Sequence, residues 1–426
     1  MKHVLHIGLA IGLLYPTHYG MGQVKQEWVR FYDGRGKRDE ATAMDIDKHG
    51  NVYVTGPSRV TTYYDDYATI KYNSAGDSLW ERNYDGPTQL GDVPVAIGVD
   101  FNEYVYVTGY GHISTLPFTA FVTISYESDS STKVRERWRR EFPSPAVQGT
   151  HQAYAMTIDR RDYGGDEFIA GWNVNRECVT LRYDPFGTRL WDDAYAPADN
   201  VAGMQHKGTA VALDNSRNVI VAGWSDRSAP AGFRPDNLLI KYGLNGGRTW
   251  VERYHSGDTN SSFLGLKVAV DASNQIYVGG NATIGIYQYV FLLKYDSTGQ
   301  FLWERDYPTV GDVGSKQFTG LAVDFQGNPI ISCGGLASST DNDVVKYAPD
   351  GGLLWATNSG GGARAIAVDD SGDVYVTGTD YRTTRFDGST GDTVWRVRYN
   401  GVNGNPDQAN AIAVDDSGNE IGRAHV

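Results

Sequence analysis

The chain has 426 residues, with 38 Lys and Arg against 51 Asp and Glu and a formal net charge of −13. That balance argues against nucleic acid or an anionic membrane surface as partner, since both select a basic face. Two cysteines, Cys178 and Cys333, are too few for a disulfide framework, while 51 Gly and 28 Tyr suit many short strands joined by turns.

Residues 1–22 have the pattern of an export signal: Lys2, an apolar run from Val4 to Tyr15, then small residues around Gly20 and Gly22. The run is too short to span a bilayer as a helix. An extracytoplasmic protein, secreted or at the cell surface, is therefore expected, with no membrane span. "QEWVRFYDG" (Gln26 to Gly34) follows and reads as the last strand of a unit whose earlier strands are missing.

From there one paragraph is written seven times. It is clearest from Lys267 to Tyr307: "KVAVD", a turn "ASNQ", "IYVGG", a loop, "VFLLKY", a turn "DSTGQ", and "FLWERDY". Four short apolar runs punctuated by Gly, Asp and Asn predict a four-stranded antiparallel meander. Two columns set the period. An Asp closes the first strand at Asp47, Asp100, Asp159, Asp214, Asp271, Asp324, Asp369 and Asp415. A Trp marks the last strand at Trp28, Trp80, Trp138, Trp191, Trp250, Trp303, Trp355 and Trp395, spaced by 52, 58, 53, 59, 53, 52 and 40 residues. The excess length falls in loops while the strands keep step.

A repeat of this length built from four strands predicts an all-β fold, a β-propeller with one blade per repeat. Seven complete blades are expected at about 41–86, 95–142, 153–199, 208–257, 264–308, 318–358 and 363–400. Four residues after each Trp stands Tyr32, Tyr84, Phe142, Tyr195, Tyr254, Tyr307 or Tyr399, with Ser359 the exception. Positions i and i+4 of a strand share a face, so each blade carries a two-ring stripe, expected to pack between blades rather than to hold a cofactor.

The propeller is expected over 23–419. "AIAVDDSGN" (Ala411 to Asn419) opens a further blade, so an orphan first strand at 411–415 and the orphan last strand at 26–34 predict a split eighth blade. Its middle strands are expected to be missing. "EIGRAHV" (420–426) has the look of a translated sequencing adapter, and the gene is expected to continue beyond it.

The turns after the first strand ("DKHGN" at Asp47, "DASNQ" at Asp271) and before the Trp strand ("DPFGT" at Asp184) are short and uniform. Asp supplies a carboxylate to local amides and Gly takes positive φ. The other two connections vary, from "WNVNRE" (Trp172 to Glu177) to "WSDRSAPAGFRPDN" (Trp224 to Asn237). Free loops on one face mark it as the binding surface. On that face the residue after the Gly that ends the second strand is Pro57, Tyr110, Trp172, Trp224, Asn281, Gly335 or Thr379. Tyr110, Trp172 and Trp224, on three consecutive blades, either form an arc that stacks sugar rings or an apolar peptide, or cap the neighbouring core.

Catalytic signatures are thin: no His-Glu-x-x-His, no Gly-x-Ser-x-Gly, no phosphate loop. His49, His112, His151, His206 and His255 fall in expected turns or loops without metal-ligand spacing and read as solvated. Acidic turns such as Asp45, Asp47 and Asn51 lack the alternating carboxylates of a Ca²⁺ loop. Asp65, Asp66 and Asp226 are the loop-face acids a hydrolase or lyase would draw on, but no spacing selects a pair.

"AIAVDDSGDVYVTG" (Ala365 to Gly378) with "KYDSTGQFLWERDY" (Lys294 to Tyr307) resembles the bacterial SBBP repeat, named for a seven-bladed β-propeller. The resemblance runs from Trp28 to Asn419. It implies an extracytoplasmic binding or scaffolding role, a single propeller within a larger surface protein, and no shared catalytic residues or cofactor. "RFDGSTGDTVWRVRYNG" (Arg385 to Gly401) is similar to the Trp-docking repeat of pyrroloquinoline-quinone dehydrogenases, in one blade only. Those enzymes place adjacent cysteines over the quinone, whereas Cys178 and Cys333 stand far apart. The expected function is non-catalytic capture of a protein or glycan partner on the loop face, with a propeller enzyme as the alternative.

Overall fold

The computed structural model describes residues 6–11, 25–32, 39–59, 64–88, 90–113, 118–128, 133–143, 149–161, 165–230, 232–307, 316–335, 343–399, 408–415 and 420–425. Among them every regular element is a strand. Seven four-stranded antiparallel sheets are built from consecutive strands and cover 43–84, 93–142, 152–195, 206–254, 262–307, 316–357 and 363–398. They are numbered here in chain order. The chain separates into two compact units, one drawn from Met1–Asn83 and Thr319–Val426, the other Tyr84–Phe318.

The eighth sheet belongs to the first unit and joins the two ends. Its order is Lys25–Arg30, His6–Ile11, Glu420–His425, Gln408–Val414. The split pairing follows the repeat, but the middle positions are not missing, as the strand count had them. His6–Ile11 pairs antiparallel with Glu420–His425, Leu9 opposite Ile421. Each orphan strand offers a row of unpaired amides and carbonyls, and any extended segment in reach satisfies them.

The Asp column explains why the first turn repeats. Asp47 Oδ1 accepts the amides of His49 and Asn51, and Oδ2 accepts the Tyr53 hydroxyl at 2.9 Å. Asp100 with Tyr106 and Asp369 with Tyr375 repeat the arrangement. Where the second strand carries Ile220 or Ile330 in place of Tyr, the missing hydroxyl is replaced from the third strand. Lys241 Nζ then lies 2.9 Å from Asp214, and Lys346 Nζ 2.8 Å from Asp324. A buried carboxylate needs its lone pairs filled; tyrosine or lysine meets that demand in these sheets, and in the third sheet Arg161 and Arg217 hold Asp159.

The Trp column forms seams between consecutive sheets. In the Tyr84–Phe318 unit, Trp138 Nε1 donates to Pro185 O at 3.0 Å and Trp191 Nε1 to Leu244 O at 2.9 Å, each in the turn before the next sheet's fourth strand. Trp28 does the same to Ser74 O in the other unit, at 2.9 Å. The ring stands on the turn glycine. A Cβ added at Gly246, where φ is +85°, would lie 2.6 Å from Trp191 Cγ. Just before the Trp, the fourth strand bulges: Arg182 opposes Trp191 and Tyr183 opposes Arg189, so Leu190 has no opposite residue and is exposed. The core thus lies between sheets, as where Phe168, Ala170, Cys178 and Tyr195 of the third meet Val219, Val221, Leu238 and Tyr242 of the fourth. Cys178 and Cys333 are both buried.

Candidate functional site

Tyr110, Trp172 and Trp224 all lie in the Tyr84–Phe318 unit, at matching register on three successive sheets. Each faces the start of its sheet's first strand: Tyr110 opposite Val93, Trp172 opposite Gln152, Trp224 opposite Lys207. The glycine before each tryptophan makes this possible. A Cβ at Gly171 would come within 2.1 Å of Gln152 O, and one at Gly223 within 1.8 Å of Lys207 O. Only glycine lets the two strands approach so closely. Just beyond, each first strand bulges, between Ala153 and Ala155 and between Gly208 and Ala210. The extra residue of the third sheet is Tyr154.

The rings converge on a lysine. Lys207 Nζ lies 4.3 Å from the centre of the Trp172 ring, 5.4 Å from that of Trp224 and 5.7 Å from that of Tyr154. Gln152 fixes two of these walls, its Oε1 accepting the Trp172 indole N–H at 3.1 Å and the Tyr154 hydroxyl at 2.8 Å. Tyr110 adjoins Tyr154, whose hydroxyl pKa is raised by burial and further by Tyr110. Burial pushes the Lys207 ammonium below its ordinary pKa, and the Asp226 carboxylate partly offsets this. Tyr110, Tyr154, Trp172, Lys207 and Trp224 are all half-buried, so each keeps part of its surface in water.

The arc column therefore brings together Trp172 and Trp224 through Lys207, with Tyr110 at the margin. Gln152, Tyr154 and Lys207 were not singled out in the sequence. Gln152 and Lys207 stand seven residues before Asp159 and Asp214, the position that pairs with the arc column, and that spacing was the available signal.

Two histidines depart from the solvated reading. His206 is fully buried, its Nδ1 facing the Ser225 hydroxyl at 2.8 Å and its Nε2 facing Asn200 Oδ1 at 3.1 Å, which fits one neutral tautomer. Burial, reinforced by the Arg253 guanidinium, pushes it down to about 4. His151 is also buried, and burial lowers its pKa. Both stand where a first strand begins, under the loops, and a turn pattern does not reveal that depth. Of the three candidate acids, Asp65 is held by Arg59 at 2.5 Å, Asp66 is buried, and Asp226 accepts the Gln205 amide at 3.0 Å.

Solved structures share this architecture. Sqt1 of Chaetomium thermophilum, solved bound to the N-terminus of the ribosomal protein L10, matches with a TM-score of 0.61 at 11% identity over 92% of this chain and 97% of its own. Saccharomyces cerevisiae Sqt1 matches with a TM-score of 0.57 at 8% identity, covering 90% and 96%. A europium-containing methanol dehydrogenase matches with a TM-score of 0.53 at 9% identity, covering 91% and 92%. The chain is a β-propeller. At these identities the likeness is one of fold alone, shared by a protein solved with a bound peptide segment and by an enzyme. No family model matches the propeller, and no curated protein matches it either. Among the described residues no helix is long and apolar enough to cross a membrane.

Proposed function

We propose that this propeller is an exported, non-catalytic binding module of the SBBP-repeat type, which captures a protein or glycan partner on its loop face. The observation that carries the reading is the cluster of Tyr154, Trp172 and Trp224 around Lys207, partly exposed and built across successive sheets, with Tyr110 beside Tyr154. Aromatic rings held in fixed orientation give large contact area at low entropic cost, and such anchors dominate binding surfaces. Further apolar groups are exposed at hairpin tips on the same face, Phe233 in the fourth sheet and Ile286 and Tyr287 in the fifth. In Chaetomium thermophilum Sqt1 a propeller holds a protein N-terminus, which illustrates that the fold suits peptide capture. Export rests on the signal pattern in residues 1–22 alone, and cleavage after it would take His6–Ile11 out of the eighth sheet.

The test is a screen of the purified chain against a peptide library and a glycan array, repeated with Trp172→Ala and Trp224→Ala. A specific partner should lose at least about tenfold in affinity with either variant, which corresponds to about 1.4 kcal/mol. Variants that keep the parent's thermal stability and every interaction of the parent would refute the assignment of this face.

A further inference from the structure

Lys207 is held unlike the buried strand lysines Lys241 and Lys346. Lys241 and Lys346 each have an Asp carboxylate within 3 Å, at 2.9 and 2.8 Å. Among the described residues no carboxylate lies within ion-pair distance of Lys207; its ammonium rests on three ring faces, with Asp226 acting on it only from farther off. Two of the rings are held without the lysine, since Gln152 Oε1 accepts from both Trp172 and Tyr154. Trp224 stands opposite Lys207 on the adjoining strand of the fourth sheet. Setting the lysine aside leaves an aromatic cage with two of its three walls fixed.

We propose that Tyr154, Trp172 and Trp224 form a recognition cage for quaternary or methylated ammonium groups, and that Lys207 is its resident competitor. A cation within about 6 Å of several ring faces is drawn by their quadrupoles, and groups that carry little hydration gain most. A primary ammonium is strongly hydrated and loses much of that hydration here. A quaternary ammonium has no N–H to desolvate and keeps its charge, so it displaces Lys207, whose flexible stem lets the head swing into solvent. The net charge of −13 raises the local concentration of cationic partners. The inference rests on the reading that this face binds, and gives the chemistry of the group it grips.

The experiment is a titration of the full chain with tetramethylammonium chloride, against sodium chloride at equal ionic strength, followed by tryptophan fluorescence and by the indole N–H resonances. Lys207→Ala should bind tetramethylammonium at least about tenfold more tightly than the parent. Lys207→Ala combined with Trp172→Ala should lose that gain. A flat titration in folded Lys207→Ala, or binding that survives the loss of Trp172, overturns the proposal. Should Lys207→Ala lose its near-ultraviolet dichroism, Lys207→Ser is titrated in its place. Loss of fold in both also overturns it, because Lys207 is then a structural member and not a displaceable guest. A flat titration alongside intact dependence of the macromolecular partner on Trp172 discards the cage alone. A flat titration together with a partner indifferent to Trp172 and Trp224 discards the loop-face reading as well.

Discussion

Replacing Trp191 by Ala tests the seam that repeats along the chain. The ring stacks on Tyr242 at 5.6 Å between centroids, lies 6.3 Å from Phe168, covers Gly246, and donates to Leu244 O at 2.9 Å. A fully buried tryptophan removes about 150–250 Å² from water, worth about 25 cal/mol per Å². Trp191 is mostly buried, so the transfer part is at least about 2–3 kcal/mol. The hydrogen bond adds about 1 kcal/mol, and the cavity over Gly246 brings the total to about 3–5 kcal/mol, the usual range for aromatic truncation. Trp191→Phe keeps a ring and should cost about half as much. Urea denaturation followed by far-ultraviolet dichroism measures both, with an unchanged m-value showing that the denatured state is the same. Trp172→Ala, which removes a solvent-facing ring and one hydrogen bond, should cost about 1–2 kcal/mol. A loss below about 1 kcal/mol for Trp191→Ala would refute the seam argument. Equal, large losses at Trp191 and Trp172 would make the arc ordinary packing.

Two further outcomes follow from buried charge. His206 is neutral when folded, with a value pushed down to about 4 from 6.5, so the unfolded chain takes up a proton that the folded chain refuses. Stability should fall as pH drops from about 6.5 through about 4, by about 3 kcal/mol at the end of that window. His206→Gln should flatten that part of the pH dependence of Tm, and an unchanged slope would show that His206 is already charged in the fold. Asp214 lies 2.9 Å from Lys241. Burial alone would raise its carboxyl, but hydrogen bonds from Asn218 and Lys241 outweigh that and hold it below its ordinary pKa. Asp214→Ala should cost about 3–5 kcal/mol by stranding a buried ammonium. Asp214→Ala with Lys241→Met should recover much of the loss in chemical denaturation, and no recovery would show the two groups to be uncoupled.

The fold was legible because its rules are local and repeated. Asp opening a turn, Gly closing it, and a Trp at fixed distance each correspond to one hydrogen-bond or packing demand met in sheet after sheet. Asp47 and Asp271 illustrate the turn, with Oδ1 accepting the amides two and four residues on. The eighth sheet was legible in part. Gln408–Val414 and Lys25–Arg30 carry the repeat's signature, but His6–Ile11 and Glu420–His425 do not. Their pairing answers the need of two open edges, which is a property of the folded surroundings and not of the segments' own composition.

The site shows where such column reading runs out. Trp172 and Trp224 stood out because tryptophan is conspicuous, and each was read against the other members of its own column. Their surroundings are set by a second column, seven residues before the Asp, to which the register of the first and second strands ties them. In that column Lys207 and Gln152 are polar residues at the edge of a strand, and nothing in composition separates them from solvated loop residues. Their meaning appears only when the bulge at Tyr154 and the close approach at Gly171 and Gly223 fold one column onto the other. A repeat protein gains function where two such columns depart from the average in adjacent repeats, because neighbouring sheets then hold the departures within contact distance. The third and fourth sheets do this together: Trp172 with Gln152, and Trp224 with Lys207. A single odd residue in one repeat alters only packing. A matched pair of departures in two adjoining repeats brings side chains of both sheets together, which is what the proposed site uses.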